Sequence, residues 1–89
     1  RAAEKGAFFV SLLKDLKSSL IQDVRHKGLL IGVEVSVKAD PLIKALQEKG
    51  VLALPAGPQV VRFLPPLVAK EEHFVTVAQA FRETLDDAQ

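Results

Sequence analysis

The sequence predicts an α+β domain of two layers, with helices packed on one face of a small, mostly antiparallel sheet. Three segments place apolar residues at helical spacing, and four shorter segments are apolar or alternate between apolar and polar residues. Their order along the chain is helix, two strands, helix, two strands, helix. With 89 residues, 48% of them hydrophobic, the chain has room for one packed domain, residues 1–89, and no second core.

The first and last predicted helices are amphipathic. Residues 2–18 carry an apolar stripe formed by Phe9, Leu12, Leu13, Leu16 and Leu20. Residues 71–85 carry a second stripe formed by Phe74, Val77, Ala78, Phe81 and Leu85. Asp86 and Asp87 oppose the helix dipole at the C-terminal end, so we expect the last turn there to fray.

The middle helix has clear signals at both ends. Asp40 is a favourable N-cap residue, and Pro41 suits the first helical position because its missing N–H has no partner there. Lys49 complements the dipole in the last turn, and Gly50 lies where a glycine commonly ends a helix.

The clearest predicted strand covers residues 29–37. Its alternate residues Leu29, Ile31, Val33, Val35 and Val37 share one face. Gly32 in its middle suggests a β-bulge or the close approach of another backbone. Shorter strands are predicted at 20–25, 51–54 and 59–64, with a turn at 26–28 and a stop at Pro65-Pro66.

Composition excludes several classes of protein. The 12 basic and 11 acidic residues are interspersed and give a net charge of +1, which argues against a polyanion partner such as a nucleic acid. Without cysteine there is no disulfide framework or thiolate metal site, which fits a reducing compartment. The apolar runs fall far short of the roughly 20 residues that a membrane span needs. Because no capping residue precedes the first helix, we expect a piece of a longer protein.

Most ionisable side chains have ordinary interpretations. The lysines lie in polar or helix-exposed settings, so none is favoured as a Schiff-base nucleophile. His26 and His73 lack a metal-ligand partner at close spacing and are predicted to lie in a turn and in the first turn of a helix. We therefore predict no catalytic, cofactor-binding or metal-binding residue in this chain.

Arg62 is the exception, because it stands among apolar residues in the segment VVRFLPPL. A guanidinium keeps its charge in a protein, and burying it unpaired is costly, so it needs an anion. The pattern alone favours a structural ion pair, with Glu34 as a candidate partner, over a contact with a ligand.

Three groups of residues, in matching order, resemble motifs of the class III, PLP-dependent aminotransferases. Residues 24–34, VRHKGLLIGVE, resemble the pattern V-R-G-x-G-L-x-x-G-x-E; residues 49–53, KGVLA, resemble K-G-[VL]-L; and residues 55–68 resemble the closing P-x-G…[IV]-R-x-x-P-P-L-[VI]. The subfamilies most similar are the acetylornithine aminotransferases and the enzymes acting on carrier-protein-linked lysine. The chain departs from the family at His26, where a glycine is usual, and at Ala69-Lys70, where a Ser or Thr usually caps the last helix.

The resemblance implies the C-terminal small domain of a fold-type I PLP enzyme. It implies that the large domain of the same chain carries pyridoxal 5′-phosphate, its Schiff-base lysine and the phosphate cup. It also implies that Arg62 faces the active site, where it binds a substrate carboxylate or pairs with a large-domain glutamate. The parent would be a cytoplasmic homodimer that transfers the terminal amino group of N-acetylornithine, or of carrier-linked lysine, to 2-oxoglutarate in arginine or lysine biosynthesis. Its substrates would thus be an amino acid and a 2-oxo acid, and this segment alone would be inactive.

Two other classes of protein stay open on the sequence. One is a ferredoxin-like module that binds amino acids for regulation without catalysis, whose βαββαβ order begins with a strand, unlike the amphipathic helix here. The other is a structural or interaction domain with no chemistry of its own.

Overall fold

The computed structural model describes residues 2–27, 30–64 and 70–88. Within them the chain forms three helices and four strands in the predicted order, which confirms the α+β class. The elements are α1 (Ala2–Asp15), β1 (Ile21–Lys27), β2 (Leu30–Val35), α2 (Ala39–Glu48), β3 (Ala53–Pro55), β4 (Val60–Phe63) and α3 (Glu71–Asp87).

The four strands form one sheet in the order β1-β2-β4-β3, and each neighbouring pair is antiparallel. Strands β2 and β4 are therefore interior strands, while β1 and β3 are the edges. Any residue of β4 has a strand on both sides and can direct its side chain only to one face of the sheet or the other.

The core lies between one face of the sheet and the helices. Ile31, Val33 and Val35 of β2 are fully buried, as the alternation predicts. The Phe63 ring packs edge-on against Phe9 of α1 and Phe81 of α3, with ring centroids 5.4 and 5.1 Å apart. The opposite face of the sheet, which the helices leave uncovered, is called the open face below.

The first helix ends earlier than the predicted residue 18. It stops at Asp15, and Lys17 adopts a left-handed backbone conformation with φ of 52°. A helix cannot continue through a residue in that conformation. Phe9 and Leu13 of the predicted stripe are buried, and Leu16 and Leu20 pack half-buried against the core after the helix has ended.

The middle helix begins one residue before the predicted N-cap. Ala39 is its first residue, so Asp40 and Pro41 both lie in the first turn. The Pro41 ring is tolerated there because the first backbone N–H groups of a helix have no intrahelical partner. The prediction for Gly50 is confirmed: its φ is +83°, and the N–H groups of Gly50 and Val51 donate to the carbonyls of Gln47 and Leu46.

The last helix does not fray at Leu85. It continues to Asp87, because the Ala88 N–H donates to the carbonyls of Thr84 and Leu85 and closes the final turn. At its start, the His73 ring takes the place that Glu or Gln has in a capping box, as the third helical residue reaching back to the N-cap residue Lys70. Its Nδ1 atom accepts a hydrogen bond of 2.8 Å from the Lys70 N–H.

Strand β1 extends two residues beyond its predicted end, so His26 and Lys27 belong to the strand rather than to a turn. Gly28, Leu29 and the Pro65-Pro66 stop lie outside the described residues. The bulge suggested at Gly32 is not there: the register of β1 and β2 shifts between Ile21 and Asp23, and Gly32 pairs regularly with both neighbouring strands.

Candidate functional site

Arg62 lies on β4 and its side chain is exposed on the open face. Its neighbours Val61 and Phe63 are 0% and 1% exposed, because alternate residues of a strand point to opposite faces. Arg62 is therefore exposed and not buried, although its neighbours in the sequence are apolar. The apolar residues beside it in the sequence belong to the core, and the guanidinium stands on the other side of the sheet.

The strand register sets what surrounds Arg62. Gly32 of β2 pairs with Arg62 on one side and with Arg25 on the other, and Leu54 of β3 pairs with Arg62 from the far edge. One row across the open face therefore reads Arg25, Gly32, Arg62, Leu54. Adjacent strands are about 4.8 Å apart, so the two arginines are separated by about 10 Å at the backbone.

Arg25 already has an anionic partner. Its Nε atom lies 2.6 Å from Oδ2 of Asp23 on the same strand. The hydrogen bond from Arg25 holds the pKa of the Asp23 carboxyl below its usual value, and the same bond raises the pKa of Arg25. Because both side chains are substantially exposed, at 81% and 44%, solvent screens the pair and it adds little stability.

Arg62 has no such partner among the described residues. Among the described residues no carboxylate lies within ion-pair distance of it, and Glu34, the candidate from the sequence, forms no ion pair with it. Glu34 pairs across the sheet with Asp23 and Val60, one row away from Arg62. The planar guanidinium is thus open to a carboxylate from outside the described chain, which it can bind through two parallel N–H···O bonds.

The space beside Arg62 is a shallow recess of about 310 Å³. It is lined by Arg25, His26, Lys27, Leu30, Gly32, Ala56, Val60 and Arg62. The lining combines apolar residues with the cationic residues Arg25, Lys27 and Arg62, a combination that suits an anion attached to an apolar body.

The remaining chemistry-bearing side chains have structural surroundings. No lysine is buried among the described residues, and Lys5 is the one that is half-buried. His26 is exposed on β1, and His73 caps α3. In the parts of the chain that the structure describes, no three His, Asp or Glu residues come together as a metal site. Within the same residues, no helix combines the length and apolarity needed to cross a bilayer.

Lys49 has a role that sequence reasoning missed. Its Nζ atom donates to Thr84 Oγ1 at 3.0 Å and to the Ala80 carbonyl at 3.4 Å, which ties the end of α2 to α3. Thr84 is 3% exposed, and its hydroxyl in turn donates to the Ala80 carbonyl at 2.8 Å. The partners are 35 residues apart, so no local pattern connects them.

The fold and the site define a small α+β domain that offers an unpaired arginine on an uncovered sheet and contains no complete catalytic centre in its described residues. The chain belongs to the class-III aminotransferases, because the model of that family matches residues 1–85.

Individual relatives support the same assignment. The chain is 44% identical, over 98% of its length, to the [LysW]-aminoadipate semialdehyde transaminase of Deinococcus radiodurans, and 38% identical, over 94%, to the acetylornithine aminotransferase of Bacillus subtilis. It superposes on the crystal structure of the acetylornithine aminotransferase from Elizabethkingia anophelis with a TM-score of 0.85 and 33% identity, covering 97% of this chain and 24% of that one. The chain spans 20% and 22% of the two curated relatives, about a fifth of their length.

Proposed function

We propose that this chain is the C-terminal small domain of a PLP-dependent aminotransferase that moves the terminal amino group of N-acetylornithine, or of carrier-linked lysine, to 2-oxoglutarate. The membership of the class-III family and the names of the two curated relatives support the reaction and the two donors. The observation that carries the proposal for this chain's own residues is the exposed guanidinium of Arg62, which forms no ion pair with any described residue.

The family implies pyridoxal 5′-phosphate as cofactor, but the described residues of this chain do not fit it. No lysine is buried in an apolar pocket where it could form a Schiff base. We therefore assign the cofactor and its lysine to the large domain of the same polypeptide. By the same reasoning this chain alone is inactive.

Arg62 is proposed to hold a substrate carboxylate. 2-oxoglutarate and both amino donors carry carboxylates, and a guanidinium binds such a group more specifically than an ammonium does. A large-domain glutamate could occupy the same guanidinium when no carboxylate is bound. Both partners would approach from the open face, because the other face is filled by the core.

The two donors place the parent enzyme in arginine or in lysine biosynthesis. We further propose a cytoplasmic homodimer, as the resemblance to the family implies. A ferredoxin-like regulatory module is not proposed, because the chain belongs to the class-III aminotransferase family.

The donor can be identified with the purified full-length protein. Its visible cofactor absorbance is recorded while N-acetylornithine, carrier-linked lysine or free ornithine is added without an oxo acid. The proposal predicts that one of the first two donors converts the spectrum and that 2-oxoglutarate then restores it. A spectrum that no amino donor changes would contradict the assignment as a transaminase.

A further inference from the structure

Strand β3 forms the flank of Arg62 that carries a side chain. Leu54 of β3 pairs directly with Arg62, and Gly32 of β2 pairs with it from the other side. Because glycine has no side chain, Leu54 is the directly paired residue that offers Arg62 an apolar surface. Such paired residues have Cβ atoms about 5 Å apart, and the methylene stem of an arginine lies readily along an apolar neighbour. The orientation of the guanidinium therefore depends on where β3 holds Leu54.

Strand β3 is itself a short edge strand. It has three residues, Ala53–Pro55, and among the described strands it pairs with β4 alone. Pro55 has no N–H group to donate to a neighbouring strand. The turn into β4 holds the Pro55 end, because the Ala56 N–H donates to the Val60 carbonyl at 3.1 Å. The Ala53 end lies away from this turn and needs a different anchor.

Gln47 supplies this anchor from the end of α2. Its Nε2 atom donates a hydrogen bond of 3.0 Å to the Ala53 carbonyl. Its own carbonyl accepts a hydrogen bond of 3.0 Å from the Gly50 N–H, so Gln47 also fixes the connection that leads to β3. The preceding residue, Leu46, is fully buried and holds this end of the helix in the core. The anchor of β3 is therefore part of the packed helical layer.

We propose that Gln47 is a positioning residue for Arg62. It fixes the Ala53 end of β3, and β3 in turn sets Leu54 beside the stem of Arg62, which orients the guanidinium for a carboxylate. A donor that is already ordered binds more tightly, because less conformational entropy is lost on binding. The inference rests on the proposed function and adds a residue that acts through Arg62. Gln47 belongs to α2 in the helical layer, whereas Arg62 is exposed on the open face.

A purely structural role for Gln47 would give a different result in a binding experiment. A substitution that only unfolds part of the protein lowers the number of binding sites and leaves the affinity of the remaining sites unchanged. A substitution that loosens Arg62 in the folded protein keeps the number of sites and weakens each of them. A calorimetric titration measures both quantities.

The experiment is a titration of the full-length protein with 2-oxoglutarate, without an amino donor, so that no turnover is needed. Gln47→Met removes the hydrogen-bond donor and keeps the length of the side chain. It should raise Kd about threefold to tenfold at an unchanged number of sites. Gln47→Lys restores a donor and should return Kd to within about twofold of the original value. Gln79→Met is the matched control and should leave Kd unchanged, because Gln79 is an exposed residue of α3 whose side chain forms no hydrogen bond with the described residues.

A double variant tests whether Gln47 acts through Arg62. Arg62→Lys keeps a cation but lacks the planar fork that must be oriented. In that background, Gln47→Met should weaken binding by less than about twofold. Three results would overturn the inference: an unchanged Kd in Gln47→Met, fewer sites at an unchanged Kd, or equal weakening by Gln47→Met in both backgrounds.

The inference and the proposed function fail on different variants. Weaker binding in Arg62→Lys together with unchanged binding in Gln47→Met would overturn the positioning role and leave the role of Arg62 intact. Unchanged binding in Arg62→Lys, or a full-length protein that does not bind 2-oxoglutarate, would overturn the proposed role of Arg62 and the positioning role with it.

Discussion

The tie between Lys49 and Thr84 gives a stability prediction that can be worked from the structure. Thr84→Val keeps the shape of the side chain but removes the hydroxyl that accepts the Lys49 ammonium at 3.0 Å and donates to Ala80 at 2.8 Å. A hydrogen bond to a charged group contributes about 1.5–3 kcal/mol when it is buried. The Lys49 side chain is 31% exposed, so water replaces part of the lost contact. We expect a loss of about 1–1.5 kcal/mol in the free energy of unfolding.

The assay is urea unfolding of the 89-residue chain. The unchanged chain, Thr84→Val, Lys49→Met and the double variant form a double-mutant cycle, in which methionine keeps the apolar stem of the lysine side chain. The two substitutions should be coupled by about 0.5–1 kcal/mol. Thr76→Val is the matched control, because Thr76 is an exposed residue of α3 whose hydroxyl also donates to the carbonyl four residues earlier, without a lysine. It should cost less than about 0.5 kcal/mol. A coupling near zero, or an equal loss in the control, would refute the reasoning.

Three further predictions concern the same chain. Phe63→Ala removes a ring that is 1% exposed and should cost about 3–5 kcal/mol in urea unfolding; a loss below about 1 kcal/mol would contradict the described core. Gly50→Ala should cost about 1 kcal/mol, because its φ is +83°, whereas Gly32→Ala should be neutral or stabilising; the reverse order would contradict the two backbone assignments. Arg25 lowers the pKa of Asp23 in the folded state. The pairing therefore stabilises the fold at pH values above the pKa of Asp23 in the unfolded chain, and this stabilisation is lost as the pH falls through the lower pKa of Asp23 in the folded chain. NMR titration should show the Asp23 pKa rising in Arg25→Gln, and an unchanged pKa would rule the pair out.

The spacing of apolar residues along the sequence predicted the layers of the fold, because that spacing reflects which residues of each helix and strand are buried. The alternation in residues 29–37 identified Ile31, Val33 and Val35 as core, and all three are fully buried. The ends of the elements were less predictable, since they depend on single backbone conformations. Lys17 adopts a left-handed backbone conformation and ends α1 early, and a lysine at that position does not predict such a conformation.

The surroundings of Arg62 show a different difficulty. A run of apolar neighbours suggests burial, but alternation along a strand separates each residue from the two beside it. The pairing of Asp23 with Arg25 could be predicted from the sequence, because residues two apart on a strand share a face. The contact between Lys49 and Thr84 could not be predicted, because only the folded chain brings those two positions together.

The central claim, that Arg62 holds a substrate carboxylate, is tested most directly by the kinetics of the full-length enzyme. Arg62→Ala is compared with Arg25→Ala, which removes a guanidinium from the same row of the sheet but from a side chain already paired with Asp23. We predict that Arg62→Ala lowers kcat/KM by an amount equivalent to about 2–5 kcal/mol for a carboxylate substrate and that Arg25→Ala leaves it nearly unchanged. Unchanged kinetics of Arg62→Ala with both the amino acid and the oxo acid would contradict the claim.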